Sequence, residues 1–305
     1  MAESKHSKKI RLSVPEQIFN VSNYIFMFLF FFICLYPFYY VVMYSVSSMQ
    51  DIRRGVLLMP AKFDFTAYVR IFEQGDIYSG FIVSIARTVS YTVVCVLCSS
   101  IMAYLFTKRE MFFRKFIYRL FIVTMYIESG LIPWYITMRA YGLRNNFLLY
   151  VIPGAINVFF VILVKTYIEQ LPPSMEESAV VDGAGFFTLF FWIIIPLSKP
   201  IIATIAVFGA VGAWNTWIDT FFLVTEKSLY TLQIVLYFFI NQAQQIANAM
   251  RQSTTVSEAE RMVSNVTPET VIRAATVVTV FPILLVYPLM QRYFVKGIMM
   301  GAIKG

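Results

Sequence analysis

About six apolar runs, each near the ~20 residues needed to cross a bilayer, decide what this chain can fold into. They extend roughly from Tyr24 to Ser45, Phe81 to Thr107, Phe116 to Met138, Phe147 to Tyr167, Pro200 to Val224 and Thr270 to Met290. A helix rises ~1.5 Å per residue and bilayer hydrocarbon is ~30 Å thick, so runs of this length match a crossing. Hydrophobic residues fill 59% of the 305 positions and charged residues only 14%, too little polar surface to coat a water-soluble body of this size. The expected fold is therefore all-α, a polytopic membrane protein with six transmembrane helices. The apolar stretch Tyr230 to Ile240 is too short to cross and is expected to pack against the bundle outside the bilayer.

Basic residues near the ends of spans set orientation. Lys5, Lys8, Lys9 and Arg11 precede the first run, and Lys108, Arg109, Arg114, Lys115 and Arg119 crowd the second connection. Both belong on the cytoplasmic side of a plasma membrane, and six crossings return the tail with Arg292, Lys296 and Lys304 to that side. The chain then divides into a cytoplasmic segment 1–23, a membrane domain 24–290 and a cytoplasmic tail 291–305. The first run is longer than the apolar core of a secretory signal, which favours an uncleaved anchor. The net charge of +8 is scattered beside the spans without interleaved aromatics, unlike a nucleic-acid groove.

Several chemistries lack their residues. The nearest text to a phosphate loop, GIMMGAIKG at the C-terminus, has neither the spacing nor the hydroxyl residue, so the chain is not expected to hydrolyse ATP itself. His6 is the single histidine, which excludes a histidine dyad or multi-histidine metal site, and no G-x-S-x-G elbow occurs. Cys34, Cys95 and Cys98 all fall within apolar runs, where reduced thiols filling helix faces are expected. No enzyme active site, metal site or bound cofactor is expected.

One segment, EESAVVDGAGFFTLFFWIIIPLSKP from Glu176 to Pro200, interrupts the apolar runs with acids, small residues and glycines. Pro172 and Pro173 suit a helix start, and Ser174 with Glu177 three residues later has the capping-box arrangement. A short helix is expected from Met175 to about Val181, closed by Asp182-Gly183-Ala184-Gly185, with a second, apolar helix from Phe186 leading to Pro196 and Pro200. Glu177, Val180, Val181 and, if the last turn persists, Ala184 would share one side, with Ser178 and Ala179 keeping the neighbouring surface thin. Such a stub can either lie in a partner's groove or pack on its own bundle as an interfacial helix.

Glu177-Ser178-Ala179, Asp182-Gly183-Ala184, Ile195-Pro196-Leu197 and Pro200 resemble the EAA loop of ABC importer permeases, here about 169–200, in the form found in carbohydrate-uptake systems. Ser178 replaces the alanine usual at the second position of the triplet and keeps the surface small. The likeness covers nearly the whole chain: Ser84 to Thr88, Ala103-Tyr104, Gly130 to Pro133, Val151 to Asn157, Trp214 to Trp217 and Tyr293 to Gly297 are similar to a branch associated with oligosaccharides or polysaccharide fragments. The resemblance implies a second homologous permease chain, two cytoplasmic ATPase subunits that carry ATP and magnesium, an extracytoplasmic solute-binding protein, often a lipoprotein, and a carbohydrate substrate. It assigns ATPase coupling to Glu177, Ser178, Ala179, Asp182, Gly183 and Ala184, with Glu176 as a neighbouring candidate. The tail from Gln291 to Gly305 is a further candidate contact with the ATPase pair.

Charges within apolar runs need an explanation. Glu128 and Arg87 fall toward the outer ends of the third and second runs and are candidates for an ion pair, for Arg87 reaching the headgroups, or for Glu128 accepting hydrogen bonds from sugar hydroxyls. In the fifth run Trp214, Trp217 and Phe221 are expected on one helical stripe with Asn215 and Asp219 beside it, either a sugar-contacting surface or an aromatic belt at the interface. Pro37, Pro133, Pro153, Pro282 and Pro288 are expected to kink spans around a cavity. Glu226 to Glu269 is expected outside the cell, either as a platform for a docking protein or as a loop without order. Two other functions stay open at this level: an ion-coupled carrier or channel acting alone with Glu128 and Arg87 as gating charges, and a membrane scaffold.

Overall fold

The computed structural model describes residues 13–55, 58–73, 76–127, 129–252 and 269–285. The N-terminal and C-terminal basic residues, Glu128 and the tail from Gln291 lie outside them, as does 253–268 of the expected outer loop. The described chain is helical, and its single β contact is an isolated bridge between Ser47 and Phe63.

The helices in order are α1 (Val14–Ser45), α2 (Met49–Arg54), α3 (Thr66–Glu73), α4 (Asp76–Thr107), α5 (Arg114–Tyr126), α6 (Leu131–Ala140), α7 (Val158–Ile168), α8 (Pro173–Val181), α9 (Phe186–Leu197), α10 (Lys199–Asn215), α11 (Ile218–Leu223), α12 (Leu232–Gln252) and α13 (269–285). Only α1 and α4 are, among the described residues, long and apolar enough to cross a membrane unaided. Counting the bent pairs α5–α6 and α9–α10 as one span each raises the number to four.

Helix α4 is the axis of the body, packing against α7, α10 and α12. Gly209 and Ala213 of α10 are buried in this packing, with Gly209 facing the rings of Phe160 on α7 and Tyr91 on α4. Around α4 the core forms three clusters. One joins Tyr104 and Phe106 to Val161, Val164, Phe190 and Ile205. A second joins Ile71 and Ile77 to Trp214, Leu232, Ile234 and Ala274. The third holds Leu149 and Tyr150 against Leu223 and Val224. In contrast, the most apolar stretch of α1 has no buried residue. Near its end the Tyr44 hydroxyl donates to Glu269 at 2.7 Å and Ser45 meets Tyr68 at 2.7 Å.

Run length located the apolar segments, but local breakers divide several of them. The helices of the first and second runs, α1 and α4, start earlier than the runs, at Val14 and Asp76, because polar residues join the first turns. The third run is two helices, parted before Gly130, whose φ of +76° is left-handed backbone that glycine adopts without a Cβ clash. Pro133 therefore sits in the first turn of α6, where its missing N–H costs no helix bond. In the fourth run only Val158–Ile168 is α-helix; Phe147–Tyr150 is a 3₁₀ turn, and the Pro153-Gly154 stretch between them is irregular. The fifth run stops at Asn215 and resumes at Ile218. Tyr230 to Ile240 falls largely in α12, with Leu232, Ile234, Val235 and Phe239 buried against the body as expected of a packing helix. The sixth run is helical over its described part, to residue 285.

Helix α9 contains a π turn at Leu189–Ile194 just before Pro196, and it meets α10 at 83°. A proline ring cannot fit a regular α-turn against the preceding carbonyls, and a widened turn relieves that clash.

The irregular Pro153-Gly154 stretch is pressed against α4. A Cβ added at Gly154 would stand 2.3 Å from Tyr91 Cε2, and the other edge of that ring already lies near Gly209. Gly154→Ala is expected to lower stability by ~1–3 kcal/mol through overpacking. Tyr91→Leu in the same chain should recover most of it. Thermal melting of the purified protein in detergent checks both, and an unchanged melting temperature in Gly154→Ala would refute the close approach.

Candidate functional site

Two polar constellations stand out along α4, one at its C-terminal end and one around Arg87. At ~1.5 Å per residue, Arg87 and Lys108 are roughly 31 Å apart along that helix, close to the thickness of bilayer hydrocarbon.

The first is the elbow formed by α8 and α9. Pro172 is the N-cap of α8 and Pro173 its first residue, so the helix starts before Met175 and the expected Ser174–Glu177 capping box is not formed. A proline preset near φ −65° with no N–H to satisfy replaces a capping side chain. The C-terminus closes on Gly183 at φ +85°. The Gly183 N–H donates to Val180 O at 3.0 Å and the Ala184 N–H to Ala179 O at 2.9 Å, the paired bonds of a Schellman closure.

This closure decides which face α8 presents. Glu177, Ser178, Val180, Val181, Asp182 and Gly183 are exposed, Val181 by 86%. Ala179 and Ala184 turn inward and pack on the cluster around Phe190. The helix has ended by Val181, so Ala184 leaves the face it was expected to share with Glu177, Val180 and Val181. Glu176 also points inward: its carboxylate pairs with Lys108 and accepts from the Tyr104 hydroxyl at 3.0 Å. It is thus set apart from the exposed residues with which the sequence grouped it. The elbow lies at the end of α4 where Lys108, Arg109 and Arg114 gather, and the Arg114 guanidinium donates to Thr107 O at 3.0 Å.

The second constellation surrounds Arg87, whose side chain is 5% exposed. Its guanidinium grips Asp219 with both terminal nitrogens, at 2.6 and 3.1 Å. It also donates to Thr216 O at 3.0 Å and lies 4.6 Å from the Tyr150 ring centroid. Asp219 accepts from the Thr220 N–H at 2.8 Å, and the Tyr150 hydroxyl donates to Leu229 O at 2.6 Å. One carboxylate therefore neutralises the buried cation and ties α11 to α4 across the break after Asn215. The expected partner Glu128 lies outside the described residues. Asp219, assigned by the sequence to an aromatic stripe, is the carboxylate that Arg87 holds. The pairing had no sequence signal beyond two charges in separate apolar runs.

The aromatic stripe itself is divided by the break. Trp214 is 6% exposed and its indole N–H donates to Thr279 O at 3.1 Å, which makes it part of the core. Trp217, past the break, stacks on Tyr237 at 4.7 Å and meets Phe221 edge-on at 5.8 Å. Asn215 is exposed at the end of α10, 3.5 Å from the Gln233 amide.

The chain matches known membrane transport components over most of its length. Residues 95–300 match the family described as binding-protein-dependent transport system inner membrane component. It is 33% identical to the polygalacturonan/rhamnogalacturonan transport system permease protein YtcP of Bacillus subtilis (strain 168), over 96% of this chain and all of that protein. Protein LplC of the same organism is 33% identical over 95% of this chain and 96% of its own length. Among solved structures it superposes on a bacterial ABC transporter involved in import of the acidic polysaccharide alginate, with a TM-score of 0.77 at 29% identity, covering 94% of this chain and 100% of that one. Of these, YtcP is named as a transport-system permease and the solved structure as an ABC transporter. The chain belongs to the family of inner-membrane components of binding-protein-dependent transport systems.

Proposed function

We infer that this chain is the permease subunit of an ATP-driven importer for a carbohydrate, an oligosaccharide or polysaccharide fragment, working by alternating access. The single observation that carries this reading is the two-sided character of α8. Its inner side is tied to the bundle, while Glu177, Ser178, Val180 and Val181 form an uncovered ridge. A short helix ended at Gly183 and left bare on one side suits the groove of a separate ATPase. The likeness of this segment to an EAA loop supports the same assignment, with Glu177, Ser178, Ala179, Asp182, Gly183 and Ala184 in the coupling stretch.

The wider arrangement follows from this. The basic residues beside α8 support a cytoplasmic location for the elbow, and with six crossings both termini lie on that side. The permease body is 24–290, flanked by cytoplasmic ends. The partners are a sister permease, two ATPase subunits binding ATP and magnesium, and an extracytoplasmic binding protein. The unburied apolar length of α1 is consistent with cover by lipid and by the sister chain. Relatives named for polygalacturonan, rhamnogalacturonan and alginate support an acidic saccharide as cargo. Arg87 and Asp219 are committed to one another and act as framework, which leaves exposed Asn215 and half-buried Trp217 as the residues of that group placed to meet cargo, with Trp214 supporting them from the core.

Gly183→Pro cannot adopt φ +85° and loses the bond to Val180, and Glu177→Lys reverses charge on the bare ridge. Each variant is expected to insert normally yet lose stimulation of ATP hydrolysis by substrate-loaded binding protein, by about tenfold or more. Hydrolysis in the complex reconstituted in lipid checks this, and normal stimulation in both variants would exclude α8 as the docking helix. Transport by the chain reconstituted alone, without nucleotide, would instead identify a stand-alone carrier.

Asp219→Asn leaves a buried guanidinium without its counter-charge, a change that typically costs ~3–5 kcal/mol. Asn215→Ala, at an exposed position, should change stability by less than ~0.5 kcal/mol. We expect Asp219→Asn to depress melting and yield sharply, and Asn215→Ala to leave melting unchanged while slowing uptake. Uptake assays paired with melting curves separate the framework residue from the pathway residue.

A further inference from the structure

Three side chains at the inner side of the elbow form a contact for which coupling through the bare ridge gives no reason. Tyr104, at the end of α4, is fully buried between Phe186 and Phe190 of α9, with ring centroids 5.1 and 5.5 Å away. Its hydroxyl donates to a Glu176 carboxylate oxygen at 3.0 Å, and the Lys108 ammonium pairs with that same oxygen. Lys108 also lies 4.2 Å from the Tyr104 ring centroid. The end of α4, the first turn of α8 and the start of α9 therefore meet at one carboxylate.

Little else holds α8 firmly. Its apolar contribution to the core is Ala179, with Ala184 just beyond it, both small. The connection to α9 runs through Gly183 and Gly185, neither of which has another group within 4 Å of where a Cβ would be. Such a connection bends unless something spans it. An ion pair with side chains 21% and 30% exposed adds little stability by itself. Its geometry matters more, because two donors, Tyr104 in the last turn of α4 and Lys108 just past its end, restrain the carboxylate in position as well as in distance.

We propose that Glu176, Tyr104 and Lys108 form a latch that makes α8 and the end of α4 move as one body. A displacement imposed on α8 then tilts α4, and with it the Arg87–Asp219 end, in place of being absorbed at the two glycines. The three are positioning residues, and the inference rests on α8 being the helix that an ATPase moves.

The test measures the distance between spin labels at Ser174 on α8, outside the docking ridge, and Leu97 on α4, both exposed, in a background with Cys34, Cys95 and Cys98 replaced by alanine. The complete importer in lipid is compared without nucleotide and with ATP and vanadate. With the latch intact, the distribution is expected to be narrow and the same in both states. In Tyr104→Phe combined with Glu176→Gln, which keeps the ring packing and removes the charge and the hydroxyl, it should broaden and shift with nucleotide by roughly 2 Å. Exchanging the charges, Glu176→Lys with Lys108→Glu, should restore the narrow distribution. A nucleotide-dependent shift with the latch intact overturns the proposal, as does broadening without a shift or no change in the double variant. The nucleotide-free width reports the latch alone, whereas the response of Glu177→Lys reports the docking reading, so the two fail separately.

Discussion

Every backbone N–H and C=O within lipid needs a partner, and a chain whose apolar runs are broken in several places must supply partners at each break. At three places here they come from one helix. Ser84 accepts from the Leu232 N–H at 2.8 Å where α12 begins, Arg87 donates to Thr216 O where α10 gives way to α11, and Ser99 accepts from the Asn157 N–H at 3.1 Å where α7 begins. All three side chains project from α4. Its polar residues, which look out of place in an apolar run, are what allow its neighbours to be discontinuous.

That dependence explains the division of labour along the helix. Around Arg87 the contacts are dense and fully buried: a two-pronged ion pair, a ring over the guanidinium, and hydroxyls of Tyr150 and Thr220 within 3.2 Å of each other. An apolar substitute of equal volume would often be at least as stable as a buried ion pair, so the pair is better understood as fixing one arrangement of α4, α11 and the Tyr150 turn. At the other end the contacts are fewer and partly open to solvent, and glycines flank them. The Arg87 stretch of α4 is thus densely held and its Lys108 end sparsely.

Much of this was legible in the residues, in proportion to how local the cause was. The apolar runs gave the helical membrane fold, and Gly183 gave the end of α8 because a positive φ is a requirement of a single residue. The start of α8 was misplaced by a competition between two local signals: Ser174 and Glu177 have capping-box spacing, but Pro173 nucleates the helix earlier. The breaks inside the third, fourth and fifth runs were hidden because hydropathy is blind to backbone course; Trp214, Trp217 and Phe221 keep helical spacing in sequence although the helix stops between the first and second. The ion pair was not legible at all. Arg87 and Asp219 are far apart in sequence, and only the packing of α10 beside α4 brings them together.

The same packing bears on how motion can travel. A helix of 32 residues with continuous backbone bonds is stiff along its length, while the elbow at Gly183 and Gly185 is the compliant point beside it. A push on α8 has two routes, into the glycines or into α4, and the contacts at Glu176 decide between them. Once it enters α4, the helix can tilt only by carrying the groups bonded to it at Ser84, Arg87 and Ser99, that is, the starts of α12 and α7 and the end of α10. On the latch proposed above, a displacement of α8 would reach these three neighbours through hydrogen bonds that need not break.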